Sequence, residues 1–564
     1  MQAALTLLEA LCLQGLKQLV LCPGSRSGPL ATAAGVLAFQ EKLQLVTAID
    51  ERSAAFLALG MATAHGRAVA VVTTSGTAVA NLLPAAVEAD RSCQPLLLLT
   101  ADRPVRLKNC GANQTVNQES FLLAACRWVG SGAADGVHTL ANDALNALAV
   151  QAWQRAQGAG TGPPGPVQLN LPFEEPLHAS LEQQQQLVSG ARPTPACSEP
   201  SPEIGPAPRL DPDRPGVVIA GPWRGLTPSV EAFQQALHRW LNLSGWPLLA
   251  DPLAALAPDC PNRIEHWELQ LDRLNLPDDA QVLRLGPMPA SRRLEAWLQR
   301  HQGPQLLITE ADSRPLDPLQ TASQWSGGLA AWMAQQPGLE QATQPSVGTN
   351  ELSSWLEAQL PLNGAVNEPA LAYWLPQLLP EALPVMLAAS SPVRDWLIWG
   401  GPASGRHRCF SFRGASGIDG TLSLAMGLAM NLGPLALVTG DLALLHDSNG
   451  WLHGSSAAAP PPLLVLLIDN GGGGIFQQLP IATPGFESLF AMPQQVDPLA
   501  LAAAHGVPGR QVACLEDLQE ALAWGLSQQR PVVLRLCSDR GRDAALRQQL
   551  RAAAQNECTE LGTR

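Results

Sequence analysis

The chain has 564 residues, of which 46% are hydrophobic, and a formal net charge of −13 at pH 7. At about 150 residues per domain, this length predicts three or four domains rather than a single hydrophobic core. The negative charge argues against nucleic acid or an anionic membrane as a partner, because both bind clustered lysine and arginine. The basic residues are mostly arginines, which bind carboxylates through paired hydrogen bonds.

The N-terminus and the cysteines indicate a cellular location. Residues 1–13 have no basic run before their apolar stretch, so we interpret them as an amphipathic helix rather than a signal peptide. No segment reaches the roughly 20 consecutive apolar residues that a membrane span requires. The 11 cysteines include no Cys-x-x-Cys pair, and their odd number argues against a complete disulfide framework. We therefore expect a cytoplasmic protein with reduced thiols.

Short apolar runs alternate with helical stretches through the first third of the chain. Residues 53–64 and 78–89 are rich in alanine and leucine and are predicted to be helical. The buried strands predicted around them are 18–22, 45–49, 69–73, 96–100 and 167–171. Alternation of helices with strands that are apolar throughout indicates an α/β fold, with a parallel sheet covered on both faces.

Two low-complexity stretches divide the chain into three α/β units. Residues 192–215 are rich in proline, and residues 335–350 in proline, glycine and glutamine, so both are predicted to be linkers. Later strands are predicted at 217–220, 281–285, 305–309, 385–389, 435–439, 463–468 and 532–536. The resulting division is a first domain 1–185, a linker 186–215, a central domain 216–340 and a last domain 341–564. The first and last units are candidates for distant copies of one architecture.

The most informative motif joins two predicted strand ends in the last unit. Gly440 and Asp441 follow one apolar strand, and Asn470 follows the next, 29 residues after Asp441. The carboxyl ends of parallel strands meet in the crevice where open α/β sheets bind ligands. A carboxylate, an amide oxygen and a backbone carbonyl suit Mg²⁺, and Mn²⁺ is also accepted. Gly440 lets the backbone approach a diphosphate, towards which the next helix directs its first N–H groups.

A glycine–aspartate pair after a strand is common and by itself seldom marks a metal site. Together with Asn470, the pair resembles the Gly-Asp…Asn-Asn signature of thiamine-diphosphate enzymes. Leu442 stands where that family usually has glycine, and Asp469 where it usually has the first asparagine. The resemblance implies bound thiamine diphosphate and a metal ion held by Asp441, Asn470 and the carbonyl of Gly472. It also implies pyrimidine-binding, central and diphosphate-binding domains, each doubly wound around a parallel sheet.

Enzymes of this family need a carboxylic acid beside the aminopyrimidine ring of the cofactor, just after a strand of the first unit. Glu51 follows the predicted strand 45–49 and begins a helix. The alternative is that Glu51 only complements the positive end of the helix dipole. With the metal signature present, we favour the catalytic interpretation. The loop containing Ser75, Gly76 and Thr77 is then expected beside the pyrimidine.

Longer strings narrow the resemblance to one family. They are residues 22–27 (CPGSRS), 99–104 (LTADRP), 111–114 (GANQ), 413–420 (RGASGIDG), 440–442 (GDL), 446–449 (HDSN) and 470–476 (NGGGGIF). Together they resemble the 2-succinyl-5-enolpyruvyl-6-hydroxy-3-cyclohexene-1-carboxylate synthases of menaquinone and phylloquinone biosynthesis, closely in the first and last units and faintly in the middle. The resemblance implies a homodimer or homotetramer, with the cofactor between the first domain of one subunit and the third domain of another.

These synthases join 2-oxoglutarate to isochorismate with loss of CO₂. Both substrates are dianions, and arginines bind carboxylates through charge-assisted hydrogen bonds. The resemblance implies substrate contacts from Ser25, Arg26, Arg103, Asn113, Gln114, Arg292, Ser390, Arg394, Arg413, Phe476 and Leu479. It implies catalytic roles for Glu51 and Gln114, and cofactor contacts from Glu51, Ser75, Gly76, Thr77, Ser416, Gly417, Ile418, Gly440, Asp441, Leu442, Asn470 and Ile475. Ile418 is expected to hold the cofactor in its bent form, and Ile475 to form an apolar wall with Phe476 and Leu479.

Several of these assignments have a structural alternative. Without the motifs, Arg26 and Arg103 would be assigned to ion pairs, and Arg413 to hydrogen bonds with backbone carbonyls. The family often has a lysine where Arg292 and Arg293 stand here, so the geometry of that cation is open.

The roles of one histidine and two tryptophans also have alternatives. His446 is either a proton shuttle or a helix-capping, solvent-facing residue. Trp396 and Trp399 are expected in the core or at a subunit interface rather than against a ligand.

Three other functions fit part of the sequence. A carboligase similar to acetolactate synthase, or a 2-oxo-acid decarboxylase, shares Glu51, Asp441 and Asn470 but needs fewer arginines. A non-catalytic member of the fold is disfavoured because the activating acid and both metal-binding side chains are present. A nucleotide-binding dehydrogenase is disfavoured because no Gly-x-Gly-x-x-Gly follows the first strand.

Overall fold

The structure, a computed structural model, describes residues 1–159, 162–187, 190–192, 205–336, 351–456 and 460–561. Within these residues, 17 strands form three sheets in which all strand pairings are parallel. The predicted α/β class is confirmed. Residues 188–189 and 193–204 of the first predicted linker, and all but two residues of the second, lie outside the described residues.

The first sheet has the strand order β2-β1-β3-β4-β6-β5. Its strands are β1 (Gln18–Leu21), β2 (Gln44–Thr47), β3 (Val69–Thr73), β4 (Leu96–Asp102), β5 (Trp128–Ser131) and β6 (Pro166–Pro172). The helices of this unit are α1 (Gln2–Gln14), α2 (Gly28–Phe39), α3 (Glu51–His65), α4 (Thr77–Ala80), α5 (Leu83–Ser92), α6 (Asn142–Gln157) and α7 (Leu181–Gln185). Leu96 and Leu98 pack into one hydrophobic cluster and Leu97 and Leu99 into another, so both faces of β4 are buried.

The central sheet has five strands in the order β11-β10-β9-β7-β8. They are β7 (Gly216–Ala220), β8 (Leu248–Ala250), β9 (Gln281–Leu285), β10 (Gln305–Ile308) and β11 (Ser323–Trp325). The helices are α8 (Val230–Ser244), α9 (Trp267–Gln270), α10 (Arg292–Arg300) and α11 (Leu329–Ala334). This sheet is also covered on both faces, because neighbouring residues such as Val217 and Val218 belong to different clusters.

The third sheet has the order β13-β12-β14-β15-β17-β16, which is the order of the first sheet when strands are counted within each unit. Its strands are β12 (Val385–Leu387), β13 (Cys409–Phe410), β14 (Leu435–Gly440), β15 (Leu463–Asp469), β16 (Gly509–Val512) and β17 (Val532–Cys537). The helices are α12 (Glu351–Gln359), α13 (Glu368–Leu378), α14 (Ser391–Trp399), α15 (Thr421–Leu432), α16 (Asp441–His446), α17 (Trp451–Ser456), α18 (Pro498–Ala504), α19 (Leu518–Ser527) and α20 (Arg540–Leu561). The two outer units thus share one topology.

The sequence predicts 12 of the 17 strands, and the five it omits are all edge strands: β5, β8, β11, β13 and β16. An edge strand is short and has one side unpaired, so it needs no continuous apolar run. In β16, for example, three of the four residues are exposed. The inner strands are buried on both faces, which is why their sequences identify them.

The predicted helix 78–89 is divided into α4 and α5. Pro84 stands in the first turn of α5 and has no backbone N–H with which to continue a helix from Ala80. The predicted N-terminal helix is present as α1, but it is buried over most of its surface rather than along one face.

Helices α3 and α15 join the first unit to the third. A Cβ on Gly60 of α3 would lie 2.2 Å from the carbonyl oxygen of Leu424, and a Cβ on Gly427 of α15 would lie 2.1 Å from that of Leu57. The two backbones therefore touch at two glycines, where no larger residue fits. This contact places the start of α3, which carries Glu51, next to the segment after α16 of the same chain.

Among the described residues, no helix is long and apolar enough to cross a membrane. The side chains of nine cysteines are described, and all nine are free thiols.

Candidate active site

Asp441 and the loop after β15 are tied together at the carboxyl edge of the third sheet. Gly440 of β14 pairs with Ile468 of β15, so the two strands end side by side. Asp441 Oδ2 accepts a 2.7 Å hydrogen bond from the backbone N–H of Gly472. The three residues predicted to bind a metal ion, Asp441, Asn470 and Gly472, therefore lie in one small region.

One oxygen in this region has no partner among the described residues. Asn470 donates through Nδ2 to Oε1 of Glu368 at 2.8 Å, whereas its buried Oδ1 accepts no hydrogen bond. Buried oxygens are nearly always satisfied in native proteins, so this one fits a metal ligand. The carbonyl of Gly472 accepts from the N–H of Gly474 at 2.8 Å and keeps a second lone pair.

The backbone here leaves room for a bound group. A Cβ built on Gly440 meets no atom within 4 Å, so this strand end borders open space. Gly472 has a φ of 119°, and a Cβ there would lie 2.0 Å from the carbonyl oxygen of Ala491. Only glycine fits at position 472, which brings the loop close to Asp441. The oxygen set and the open space fit a metal ion with a diphosphate.

The two departures from the family signature have a structural explanation. Leu442 uses only its backbone N–H, which donates to Asp441 Oδ1 at 2.8 Å. The side chain of Asp469 turns to the neighbouring strand, where Oδ2 accepts from Nε of Arg535 at 2.7 Å. Neither side chain is needed as a ligand.

Electrostatics at Asp441 favour a cation. Burial raises the pKa of Asp441 to about 6, and the nearby carboxylate of Asp469 adds to the effect. A bound divalent cation would stabilise the ionised form. In the described part of the chain, no group of three or more His, Cys, Asp or Glu side chains could hold a metal ion. The predicted ligand set, with a single carboxylate, is of a different kind.

A buried ionic network behind Asn470 was not predicted from the sequence. Glu368 at the start of α13 binds Asn470 through Oε1 and Arg547 of α20 through Oε2, the latter at 2.8 Å. Arg547 also binds Asp395 with two contacts of 2.9 and 2.5 Å. Burial raises the pKa of Glu368, and the guanidinium of Arg547 opposes that shift. No local pattern identifies Glu368, which stands 102 residues before Asn470.

A second acid missed by the sequence analysis holds the loop that carries the predicted cofactor contacts Ser416, Gly417 and Ile418. Glu88 of α5 accepts hydrogen bonds from the backbone N–H groups of Gly414, Ala415 and Ser416, at 2.8, 2.6 and 3.3 Å. Glu88 is 4% exposed. The first unit therefore shapes a loop of the third.

The conformation of this loop is tightly defined. Ser416 has a φ of 61°, and a Cβ on Gly417 would lie 2.3 Å from a carboxylate oxygen of Asp419. The carbonyl of Ile418 accepts from the hydroxyl of Thr421, the first residue of α15, at 3.2 Å. The Ile418 side chain is half-buried.

Glu51 is the first residue of α3, as predicted. Asp50 caps the helix by accepting from the N–H of Ser53 at 3.1 Å. Asp50 also accepts from the side chain of Asn449 at 2.7 Å, and Arg52 donates to the carbonyl of His446 at 3.0 Å. The helix start therefore lies against the segment 446–449 of its own chain. Glu51 itself is half-buried and has no hydrogen bond to Asp441 or Asn470 in the described residues.

The loops after β3 and β4 are bound to each other. Ser75 Oγ donates to the carbonyl of Gln114 at 3.0 Å, and the Gln114 side chain donates back to the carbonyl of Ser75 at 2.8 Å. Arg103 Nη1 donates to both Ser75 Oγ and the Gln114 carbonyl. Gly76 has a φ of 88° and faces Gln114, and Thr77 is exposed at the start of α4. These predicted residues are brought together.

Two arginines of the first unit lie close to each other. Burial lowers the pKa of Arg103, and the charge of Arg26 lowers it further. Arg26 is buried, donates to the carbonyl of Phe173 at 2.9 Å and lies 3.4 Å from Glu175. Like charges repel, so the pair creates a site for an anion. The predicted residues Ser25 and Asn113 are exposed in nearby loops.

Two arginines of the third unit form a similar pair. Burial lowers the pKa of Arg394, and Arg413 contributes in the same direction. Arg394 donates to the carbonyl of Ser390, which has a φ of 85°, at 2.6 Å. Arg413 has a buried Nε with no partner among the described residues. Neither side chain is neutralised by the ion pairs found in that part of the chain.

The structure distinguishes Arg292 from Arg293. Arg293 binds the carbonyl of Glu268 and the carboxylate of Asp272, both at 2.6 Å. Arg292 is exposed, and its charge helps to lower the pKa of Arg394, mainly a burial effect. Arg292 is therefore the residue placed to share a site with Arg394.

The remaining predicted residues lie after β15 or in the core. Ile475 and Phe476 are half-buried, and the ring centroid of Phe476 lies 5.6 Å from that of Phe490. Leu479 is 37% exposed, as one side of an open apolar wall requires. Trp396 and Trp399 are buried in the hydrophobic core of the third unit. His446 is exposed, and its ring lies 3.2 Å from Arg52.

Comparisons with known proteins agree with this geometry. Residues 1–121 match the family model described as the N-terminal TPP-binding domain of thiamine pyrophosphate enzymes. Residues 211–385 match the middle domain of thiamine pyrophosphate enzymes, and residues 402–536 their C-terminal TPP-binding domain. The chain is thus an enzyme of the thiamine-diphosphate type.

A solved structure shows the same fold. The thiamine diphosphate-dependent 4-hydroxybenzoylformate decarboxylase of Rhodococcus jostii RHA1 superposes with a TM-score of 0.69, covering 96% of this chain and 99% of the decarboxylase chain. The two sequences are only 15% identical, so the likeness concerns the architecture alone.

Full-length relatives are far more similar. A protein of Synechococcus sp. (strain CC9605) named 2-succinyl-5-enolpyruvyl-6-hydroxy-3-cyclohexene-1-carboxylate synthase is 91% identical over 561 residues and 100% of both chains. Proteins with the same name from Parasynechococcus marenigrum (strain WH8102) and Prochlorococcus marinus (strain NATL1A) are 70% and 47% identical. They are covered over 99% and 95% of their lengths, and this chain over 96% in both cases. The chain belongs to the 2-succinyl-5-enolpyruvyl-6-hydroxy-3-cyclohexene-1-carboxylate synthase family of thiamine-diphosphate enzymes.

Proposed function

We propose that the protein adds the succinyl semialdehyde unit of 2-oxoglutarate to isochorismate, in a 1,4-addition with loss of CO₂. The product is 2-succinyl-5-enolpyruvyl-6-hydroxy-3-cyclohexene-1-carboxylate, an intermediate of menaquinone or phylloquinone biosynthesis. The observation that carries the proposal is 91% identity, over the whole chain, to a protein named for this synthase. Its substrates are two dianions, and the charges of the candidate site suit them.

The arginines support this substrate class. Arg26 and Arg103 in the first unit, and Arg394 and Arg413 in the third, are two like-charge pairs in which burial or a neighbouring arginine lowers at least one pKa. A desolvated arginine pair is stabilised by carboxylates that bind it through two hydrogen bonds. A decarboxylase acting on pyruvate would have one carboxylate to bind and no need of both pairs.

Thiamine diphosphate and a divalent cation, Mg²⁺ or Mn²⁺, complete the site in this proposal. Asp441, the Asn470 amide oxygen and the Gly472 carbonyl would hold the cation. The loop with Ser416, Gly417 and Ile418 and the strand ends at Gly440, Leu442 and Ile475 would contact the cofactor. Bound there, thiamine diphosphate supplies the carbon nucleophile and the electron sink for decarboxylation.

The protein side chains then have separate tasks. Glu51 holds a proton next to the aminopyrimidine, with Ser75, Gly76 and Thr77 beside the ring. Gln114, fixed by Ser75, orients the acceptor substrate. The apolar side chains of Ile475, Phe476 and Leu479 exclude water from the reacting carbon atoms.

We also propose that a complete site needs two subunits, in a homodimer or homotetramer. The start of α3, which carries Glu51, lies against residues 446–449 of its own chain, at the opposite end of α16 from Asp441. Ile49, two residues before Glu51, is 76% exposed, as an interface residue would be in a separated subunit.

Mixing two inactive variants tests the shared site. Glu51→Gln and Asn470→Ala subunits, unfolded together and reassembled, should recover about a quarter of wild-type activity, because one site in each hybrid dimer is intact. Recovery no greater than that of each variant alone would contradict a site shared between subunits.

The domain limits 1–185, 216–340 and 341–564, with a linker at 186–215, are part of the proposal. So is a cytoplasmic location, in keeping with the nine free thiols of the described residues.

The reaction itself is tested with purified protein, thiamine diphosphate, Mg²⁺, 2-oxoglutarate and isochorismate. Isochorismate loss should require 2-oxoglutarate, and mass spectrometry should show isochorismate extended by one succinyl semialdehyde unit. The Glu51→Gln variant serves as the control. Turnover of pyruvate without reaction of 2-oxoglutarate would agree with the proposed cofactor but contradict the proposed substrates.

A further inference from the structure

At the carboxyl edge of the third sheet, the orientation of one side-chain amide decides whether it can bind a metal ion. Asn470 can bind a cation only through Oδ1, because the –NH₂ group at the other end is a donor. The two ends have nearly the same shape, so packing alone does not choose between them. A neighbouring group has to make the choice.

Glu368 is that neighbour. Its Oε1 lies 2.8 Å from Asn470 Nδ2, in a region where Glu368 is 2% and Asn470 9% exposed. The guanidinium of Arg547, 2.8 Å from Oε2, favours the ionised form of Glu368. An ionised carboxylate only accepts hydrogen bonds, so it binds the –NH₂ end and leaves Oδ1 unpartnered. Arg547 occupies the other oxygen, Oε2, and holds the carboxylate in place.

We propose that Glu368 is a positioning residue, whose carboxylate orients the Asn470 amide so that Oδ1 is free to bind the metal ion. The inference rests on the proposed metal site and adds to it a residue that touches neither metal nor substrate. Groups that orient metal ligands in this way commonly change metal affinity when altered.

The variant Glu368→Gln tests the direction of the hydrogen bond. A glutamine has one oxygen, and the charge of Arg547 draws it to the Oε2 side. Its –NH₂ then faces Asn470 and turns the Asn470 amide over, so that a donor replaces Oδ1 at the metal site. We expect Mn²⁺ to bind about 10- to 100-fold more weakly.

A double variant should reverse this loss. In Glu368→Gln with Asn470→Asp, the glutamine –NH₂ donates to one carboxylate oxygen of residue 470, and the other oxygen is free for the metal. Arg547 keeps an acceptor in the glutamine oxygen. The double variant should therefore regain about tenfold or more in Mn²⁺ affinity over Glu368→Gln alone.

Asp395→Asn is the matched control. Asp395 is 4% exposed and binds the same arginine, Arg547, but has no contact with Asn470. It should lose stability like Glu368→Gln while keeping wild-type Mn²⁺ affinity. A role of Glu368 in stability alone would lower the affinity of both variants equally.

The measurement is a Mn²⁺ titration of the full chain with saturating thiamine diphosphate, in which free Mn²⁺ is counted by electron paramagnetic resonance. Equal affinities of wild type and Glu368→Gln would overturn the positioning role, as would a double variant no better than Glu368→Gln. If Glu368→Gln does not fold, the double variant must fold and bind Mn²⁺ within about tenfold of wild type, or the proposal fails. A wild type that binds no Mn²⁺ would overturn the metal site itself, and this proposal with it.

Discussion

The first and third units have the same strand order but place opposite chemistry at equivalent strand ends. The third strand of each sheet is followed by Ser75 in the first unit and by Asp441 in the third. The fourth strand is followed by Arg103 in the first unit and by Asn470 in the third. The first unit thus presents donors and positive charge, and the third presents acceptor oxygens.

Both units nevertheless connect these strand ends in the same manner. In the first unit, Arg103 donates to Ser75 Oγ at 2.9 Å. In the third, Asp441 accepts from the N–H of Gly472 at 2.7 Å. The topology determines where groups converge, and the side chains determine which ligand is bound there.

The largest effect should come from removing the acid of the first unit, Glu51, while the cofactor-binding residues of the third unit stay intact. Glu51→Gln should reduce kcat by about 10²- to 10⁴-fold, because a proton-transfer group is lost. Calorimetric titration should show cofactor affinity close to that of wild type. Asp50→Asn is the control, since asparagine caps a helix as well as aspartate does. Equal losses in both variants would contradict the catalytic assignment.

One arginine from each unit should respond in the same way when its planar guanidinium group is lost. Arg103→Lys and Arg394→Lys keep the charge but lose bidentate binding, so kcat/KM for a dianionic substrate should fall about 10- to 100-fold. Steady-state kinetics with each substrate varied would show which carboxylate each arginine binds. Arg293→Lys, at an arginine already paired with Asp272, should stay near wild type. A similar fall there would mean that the effect is not specific to the site.

The first unit should also affect cofactor binding through Glu88. Glu88→Gln keeps the shape but removes the charge that holds three backbone N–H groups of the loop 414–416. We expect about tenfold weaker thiamine diphosphate binding by calorimetry. Asp90→Asn on the same helix, where Asp90 binds Arg127 and Arg314, should change stability and leave this affinity unaltered. Weaker thiamine diphosphate binding in Asp90→Asn, with unaltered binding in Glu88→Gln, would mean that domain packing controls the affinity rather than the contact of Glu88 with the loop.

The smallest effect concerns pH and the contact between the two units. Ser53 of α3 binds Ser423 and His453 at 2.6 and 2.8 Å, and Ser423 binds Asp447. Burial lowers the pKa of His453 to about 4 and raises that of Asp447 to about 7. As pH falls below 6.5, the unfolded state gains a proton on histidine that the folded state does not, which lowers stability. The raised pKa of Asp447 acts in the opposite sense between pH 7 and 4, so the two contributions oppose each other.

Replacing His453 should remove its effect on stability and leave the pH dependence caused by Asp447. Between pH 7 and 5.5, the free energy of unfolding of His453→Gln should rise by about 1 kcal/mol relative to wild type. Urea titrations at the two pH values measure the difference. His138→Gln, at an exposed histidine, should show no such change with pH. A wild type and a His453→Gln variant with parallel pH dependence would contradict the buried neutral state of His453.

The predictable part of the fold is the part with a strong local signal. Each inner strand is an apolar run buried on both faces, and all of the inner strands were predicted. Edge strands such as β13 (two residues) depend on pairing with a neighbour, which is a tertiary contact. The break between α4 and α5 is explained by Pro84, which has no backbone N–H to continue a helix. The alanine-rich pattern around it nevertheless led to the prediction of one continuous helix.

The candidate site divides in the same way. Asp441, Asn470 and Glu51 follow predicted strands, so sequence alone located them at the carboxyl edges of two sheets. Glu368 and Glu88 stand in helices without a distinguishing pattern, 102 and 326 residues before the groups they bind. The choice between Arg292 and Arg293 also needed the structure, because neighbours in a helix face different directions.

By itself, the sequence determined the α/β class, the inner strands and the strand-end residues, because buried parallel strands and glycine-containing turns impose local composition. Only the tertiary structure decided the shared topology of the outer units, the glycine contact between α3 and α15, and the buried acids behind the site. A carboxylate buried far from its partner in the chain leaves no local pattern. Its role exists only once folding removes it from water and places a donor against it.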